Sequence, residues 1–395
     1  MAAVAGVIAE YNPFHYGHAY QLSTIRKRLG EDTAIVAVMS GNFVQRGECA
    51  IMEKHARAEA TLRGGADLVL ELPTVYAAAT AEIFAKGGVN ILAATGVVTH
   101  LCFGSESGEI DALGLTAQCL DSEAYRGELK GFLEQGMSFA SARQAAAEAL
   151  IGKAAKYLSG ANNNLGGEYL RANNAIGAPM KPMTVRRVGA AHDSAETEGF
   201  ASASAIRKAI LTGEEWQQLV PEGTAAVLER EMEQGKAPTS LTCAGRSILY
   251  QLRKMEEEEF LPYDGGEEGL YRRFYKAVRR GNNLEEILTL AKTKRYSHAR
   301  LRRMALAAWL ELEQAPERPP YLRVLAANGR GCALLKDMKK KAALPVVTKS
   351  ASVRKLGDEA ERFFSAEAKY TDLYALCSGA IEPVDREYTM DPVIV

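Results

Sequence analysis

A chain of 395 residues with 47% hydrophobic and 25% charged residues has the material of an ordinary globular protein, enough for two or three domains. Its formal net charge of −1 excludes a polycation, so any nucleic-acid surface has to be a local patch. Six cysteines (Cys49, Cys102, Cys119, Cys243, Cys332, Cys377) without a CxxC pair argue against a zinc site or disulfide framework, and with the opening MAAVAGVIAE, which lacks a basic n-region, they point to a cytoplasmic protein without a membrane span.

In chain order, Val4–Ala9 reads as a short strand, and a helical pattern follows over Ala19–Leu29. Further strand-like runs fall at Ala34–Met39, Leu68–Leu72, Val98–Phe103 and Thr184–Val188. Helical patterns lie between them at Glu53–Arg63, Ala78–Leu92, Ile110–Gln118, Ser122–Gln135 and Ser141–Lys156. Such alternation over 1–210 predicts an α/β domain with a mostly parallel sheet, whose ligands bind at the C-terminal strand ends. From 211 to 395 helical patterns dominate, as at Ser240–Glu259 and His298–Glu313, with some strand character at Tyr321–Ala326 and Leu344–Thr348. Gly64-Gly65 and Gly87-Gly88 read as helix C-caps, and His55 as part of an exposed helix face. His100 and His192 read as structural.

Two short motifs carry chemistry. The first is His15-Tyr16-Gly17-His18 at the mouth of the first strand-to-helix turn. A helix start offers free N–H groups and partial positive charge, so an anion is its natural guest, and the glycine allows close approach. The second is Ser202-Ala203-Ser204-Ala205-Ile206-Arg207, opening another helix. Its serines suffice as N-caps, but paired with the first motif in one α/β domain they suit triphosphate oxygens, with Arg207 neutralising charge.

A first-strand HxGH with a serine-rich helix start ending in Ile-Arg resembles the nucleotidyltransferase superfamily. The strings AEYNPFHYGH, MSGNFVQRG (Met39–Gly47), GADLVLELP (Gly65–Pro73), FGSE (Phe103–Glu106), Asn162-Asn163-Asn164-Leu165-Gly166 and KTKRYSHARLRR (Lys292–Arg303) resemble the tRNA(Met) cytidine acetate ligase family, essentially over the full length. The resemblance implies a Rossmann-like nucleotidyltransferase domain followed by a mostly helical, tRNA-binding region. It implies an ATP-dependent ligase that makes acetyl-adenylate from acetate, releases pyrophosphate and acetylates N4 of the wobble cytidine of elongator tRNA(Met).

The resemblance also implies roles. The ATP phosphates are wrapped by Gly6, Val7, Ile8, Ala9, Glu10, Tyr11, Asn12, Pro13, Phe14, His15, Tyr16, Gly17, His18 and Ala19. His15 and His18 stabilise charge at the α-phosphorus, with Ser202, Ser204 and Arg207 as the second phosphate motif. Gly104, Asn162 and the pair Arg186–Arg187 complete the pocket. Strand alternation sends the two arginines to opposite faces and leaves the choice between them open, as it is between Asn162 and Asn163. Acetate is already ionised, so its activation needs positioning and electrostatics rather than a general base. Mg²⁺ is expected with ATP, held by phosphates and water rather than by protein ligands.

For the anticodon arm, Lys292, Lys294, Arg295, Arg300, Arg302 and Arg303 place six cations in twelve residues, with Tyr296 as a stacking candidate. Lys336, Lys339, Lys340 and Lys341 form a second cluster. A small-metabolite adenylyltransferase would use the same two motifs without needing these basic segments, and a non-catalytic tRNA-binding protein would not need His15, His18 or Arg207. Oligomeric state is not encoded in any of these patterns.

Overall fold

The computed structural model describes residues 3–177, 179–188, 200–264, 269–293 and 296–395. Parallel strands β1 (Val4–Ala9) and β2 (Ala34–Ser40) form the centre of the sheet, with Val7 beside Ala37 and Ala9 beside Met39. The hairpin strands β3 (Phe43–Val44) and β4 (Glu48–Cys49) stand apart from it. The sheet continues outward through β5 (Leu68–Leu72) on one side and through β6 (His100–Ser105) and β7 (Lys181–Arg186) on the other, all parallel to the centre. The chain's C-terminal part then adds β8 (Leu322–Ala327) antiparallel to β5, with β9 (Val346–Val347) and β10 (Val393–Ile394) each parallel to β8. The resulting order is β10–β8–β5–β2–β1–β6–β7, with β9 off that path.

Apolar runs make these strands because both faces of the sheet are covered. Alternation sends Val36 and Val38 into one core with Leu68 and Leu70, and Ile35, Ala37 and Met39 into the other with Val7, Phe14, Leu22 and Ile25. The α/β expectation and the mostly parallel sheet are therefore found. After 210 the chain is largely helical, yet it returns to the sheet through β8 and β10.

Several local expectations are corrected. Gly87 and Gly88 lie inside the helix Ala81–Ala94 rather than capping it. A Cβ on Gly87 would come within 2.5 Å of Tyr76, and one on Gly88 within 2.7 Å of Ile8, so their smallness lets the helix approach the sheet. Ser240–Glu259 is not one helix: the regular part spans Gly245–Lys254, where Met255 turns extended. The helix Ala161–Asn174, unmarked by apolar periodicity, is fixed instead at its start by Glu106, whose carboxylate accepts from the backbone N–H of Asn162 and Asn163.

Helix α2 (Lys54–Arg63) overturns the expected exposed face at His55, which is 4% exposed. Burial is possible because its polar groups are paired. Lys54 Nζ lies 2.6 Å from both Glu71 and Glu387. The fully buried Arg57 donates to the carbonyls of Glu10, Ser40, Gly41 and Met52. Arg57 thereby ties together the loops that leave β1 and β2, where ligands bind in open α/β sheets.

Candidate active site

The chain leaves β1 through Glu10 and Tyr11, whose φ of 46° lies in the left-handed region, and a cis Asn12–Pro13 bond before entering helix α1 (Tyr16–Leu29). Phe14 anchors this loop by packing on Gly64, where no Cβ could be accommodated. His15 is the N-cap of α1, and the cap is reciprocal. Its Nδ1 accepts from Gly17 N at 3.0 Å, and His18 Nδ1 accepts from His15 N at 3.2 Å. Two of the helix's free N–H groups are thus satisfied by the two imidazoles themselves.

That arrangement fixes the tautomer. A ring nitrogen accepting from a backbone N–H carries no proton, so each neutral ring has its proton on Nε2. The rings lie 3.8 Å apart between centroids, and Tyr11 meets His18 edge-on at 4.8 Å. Burial, then the charges of Arg187 and Arg207, lowers the His15 pKa to about 3. Burial, then His15 and Arg187, holds His18 well below the ordinary imidazole value. In the free protein both histidines are neutral Nε2–H donors rather than cations.

A cleft of about 490 Å³ opens beside them, lined by His15, Gly17, Tyr20, Gln21, Gly104, Val185, Arg186, Arg187, Val188, Phe200, Ala201 and Ser202. Its walls come from the start of α1, the C-terminal ends of β6 and β7 and the start of the helix Ala203–Thr212. Gly104 leaves room for Arg187, whose Cγ would lie 3.3 Å from a Cβ at that position. The charge of Arg187 reaches both histidines, while Arg186 packs its Cβ towards Gly108. Of the two arginines, Arg187 is therefore the one directed at the histidine pair.

The second motif meets the first. Ser202 caps its helix by accepting from Ala205 N at 3.2 Å while also lining the cleft, so capping and a ligand-facing position coexist. Arg207 crosses to the first loop and donates to Asn12 O at 2.9 Å. Ser204 is exposed one residue into the helix's first turn. Other expected residues lie elsewhere. Gly6, Val7, Ile8 and Ala9 are sheet residues, with Gly6 pressed against Leu92 and Val98. Asn162 stands at the start of its helix with its side chain on Glu106 at 2.8 Å, outside the cleft lining. His192 lies outside the described residues.

The basic segment is more internally occupied than its composition suggests. Lys292 is exposed, whereas Tyr296 is only 6% exposed and offers no free face for a base, its ring instead covered by Arg300. Arg300 donates to Asp264 O, Arg302 pairs with Glu48 at 2.7 Å and Arg303 donates to Gln45 O at 3.3 Å. Lys294 and Arg295 lie outside the described residues. Lys336, Lys339, Lys340 and Lys341 are exposed on the helix Gly329–Lys341.

Sequence reasoning assigned no role to Glu48, which joins the motifs: its carboxylate lies 3.6 Å from Arg207 and 2.7 Å from Arg302. The only available sign was its position just after the MSGNFVQRG string. Phe200 was likewise unmarked, yet it lines the cleft and faces the rings of Tyr16 and Tyr20.

The HIGH Nucleotidyl Transferase family model matches residues 1–388. A tRNA(Met) cytidine acetate ligase of Thermoanaerobacter sp. (strain X514) is 39% identical over 385 residues, covering 94% of this chain and 95% of that protein. The ligase of that name from Caldanaerobacter subterraneus subsp. tengcongensis is 40% identical, with 94% of each chain covered. The crystal structure of Thermotoga maritima TmcAL bound with alpha-thio ATP is similar to this fold at a TM-score of 0.92 and 34% identity, covering 100% of this chain and 99% of that one. With its first-helix histidine cap facing a second serine-arginine helix start across a cleft, the chain belongs to the HIGH nucleotidyl transferase family, among the tRNA(Met) cytidine acetate ligases.

Proposed function

We propose that the chain joins acetate to ATP, forming acetyl-adenylate and pyrophosphate, and then transfers the acetyl group to N4 of the wobble cytidine of elongator tRNA(Met). The observation that carries this reading is the pair of Nε2–H donors held by the α1 cap beside a cleft that also contains Arg187 and Ser202. Acetate needs no base to become a nucleophile. What the first step needs is stabilisation of negative charge at the α-phosphorus as the bond to pyrophosphate breaks. Neutral histidine donors do this without a proton transfer, and Arg187 and Arg207 supply positive charge.

Mg²⁺ would ride on the phosphates and water, and no group of three or more His, Cys, Asp or Glu suited to holding a metal lies among the described residues. When bound, it would neutralise charge on the departing pyrophosphate. The lining of the cleft falls wholly within 1–210, which supports assigning catalysis to that part. Recognition of the anticodon arm is assigned to 211–395, supported by exposed Lys292 and the lysines of the helix Gly329–Lys341. Among the described residues no helix is long and apolar enough to cross a membrane.

The test is direct. Purified protein with ATP, acetate and tRNA(Met) should add one acetyl group to the wobble cytidine, read by mass spectrometry of nuclease digests. Unmodified tRNA would overturn the reading. A small-metabolite adenylyltransferase would consume ATP without tRNA, and no relative described above carries that name.

A further inference from the structure

The nucleotide cleft does not account for a second group of polar side chains, on the side of the first loop that faces the basic helix His298–Leu310. Glu10, which the resemblance places in the ATP loop, is absent from the lining of the cleft: its Oε1 accepts from Gln45 N at 3.0 Å, and its carbonyl is clamped by Arg57. The turn Gln45–Glu48 is wedged between that loop and the basic helix. Arg303 donates to Gln45 O, Arg302 pairs with Glu48, and a Cβ on Gly47 would run into the backbone of Arg302 and Arg303. Two amide donors beside this turn lack acceptors among the described residues. They are Gln45 Nε2 and Nδ2 of Asn12, a residue 2% exposed whose Oδ1 is already used by Ile51 N. Unmated donors of this kind are costly unless a ligand completes them. Both Glu10 and Gln45 are partly exposed as residues, with Gln45 Nε2 itself buried.

We propose that Glu10 and Gln45 form the subsite for the acceptor cytosine, with Glu10 taking the proton that N4 loses during acetyl transfer. This rests on the acetyl-transfer reading above. The edge chemistry fits one base. A cytosine presents an amine donor at N4 beside an acceptor at N3, which a carboxylate and an amide N–H complement. Uracil would present an oxygen to the Glu10 carboxylate and an N–H to the Gln45 amide, and both contacts would be repulsive. In the transfer step N4 attacks the acetyl carbonyl carbon and a C–N bond forms. The bond from that carbon to the adenylate oxygen breaks, AMP leaves with the electron pair, and the N4 proton passes to Glu10.

The surroundings of Glu10 suit that task. Burial raises its pKa above the usual carboxylate value, against the lowering effect of the Gln45 N–H and the charges of Arg207, Arg46 and Arg57. Tyr169 from the helix Ala161–Asn174 also lies close enough to feel the charge of Glu10. A carboxylate with a raised pKa is a better proton acceptor than a free one.

The two half-reactions can be measured separately in the full-length protein. Acetate-dependent pyrophosphate exchange reports the first, and single-turnover acetylation of a tRNA(Met) anticodon stem-loop from preformed acetyl-adenylate reports the second. Glu10→Gln keeps an oxygen for Gln45 N. It should lower the ratio of transfer to exchange about 100-fold and remove the acid limb of the transfer–pH profile. Gln45→Leu should raise the stem-loop KM about tenfold. If both half-reactions fall in parallel, or the KM for acetate rises in the exchange assay, these groups serve ATP or acetate and the proposal is overturned. An unchanged ratio in Glu10→Gln also overturns it. Failure of the wild-type protein to acetylate the stem-loop would instead sink the reading on which the proposal rests.

Discussion

In the proposed reaction His15 and His18 do two jobs with two nitrogens, capping α1 through Nδ1 and offering Nε2–H to the phosphates. His18→Ala should therefore lower acetate-dependent pyrophosphate exchange by about 100- to 1,000-fold, the loss expected for one oxyanion donor, while tRNA binding measured by filter retention survives. The histidines also set a pH dependence. The folded His15 pKa of about 3 lies below the ordinary 6.5, so between those values the unfolded chain binds a proton that the folded chain does not. Stability from this group is present above 6.5 and is lost as pH falls towards 3. His15→Asn, which keeps a capping side chain, should flatten that acid-side decline in urea titrations. The HxGH tetrad was legible as an anion site from its place after a strand. The tautomer was not, because it depends on which nitrogen meets the backbone.

At the scale of elements, helix α2 departs most from its sequence. KHARAEATLR reads as a solvated helix, yet it lies in the interior because Lys54, Arg57 and Glu59 find partners on distant segments. Apolar periodicity marks burial only where burial is apolar. Arg57→Lys replaces a planar fork serving four carbonyls with a single ammonium, and should destabilise the fold by about 3 kcal/mol in chemical denaturation. A second buried group titrates the other way. Burial, then the charge of Glu71, pushes Glu367 up to about 8 from 4.5, so the folded chain holds the extra proton between those values. Its stabilising contribution is full below 4.5 and is lost as pH rises through about 8. Glu367→Gln, which still offers an oxygen to Thr74 N, should gain Tm relative to the wild type as pH rises through that window. Strands β1, β2 and β5 were readable because runs such as Ala34–Met39 are apolar on both faces. The helix Ala161–Asn174 was not, since five asparagines and a Gly-Gly pair give no periodic stripe and its start is fixed by Glu106.

Across the whole molecule, the local pattern revealed strand character near 321 but not that β8 would lie antiparallel to β5, because pairing between distant segments leaves no mark on either one. Glu387 adds a second long-range tie, at 0% exposure between Lys54 and Arg323. Removing residues 386–395 strips two buried cations of a shared partner and should cost about 3–5 kcal/mol in denaturant titrations. The same geometry constrains the order of events during synthesis. Lys54 and the β5 edge leave the ribosome more than 250 residues before the segments that complete them, so the catalytic strands stay unfinished until almost the whole chain has emerged. A message cut short near its 3′ end should therefore yield an aggregating chain rather than a partly active one, and the cell would inherit no enzyme able to spend ATP without the C-terminal half that we assign to tRNA.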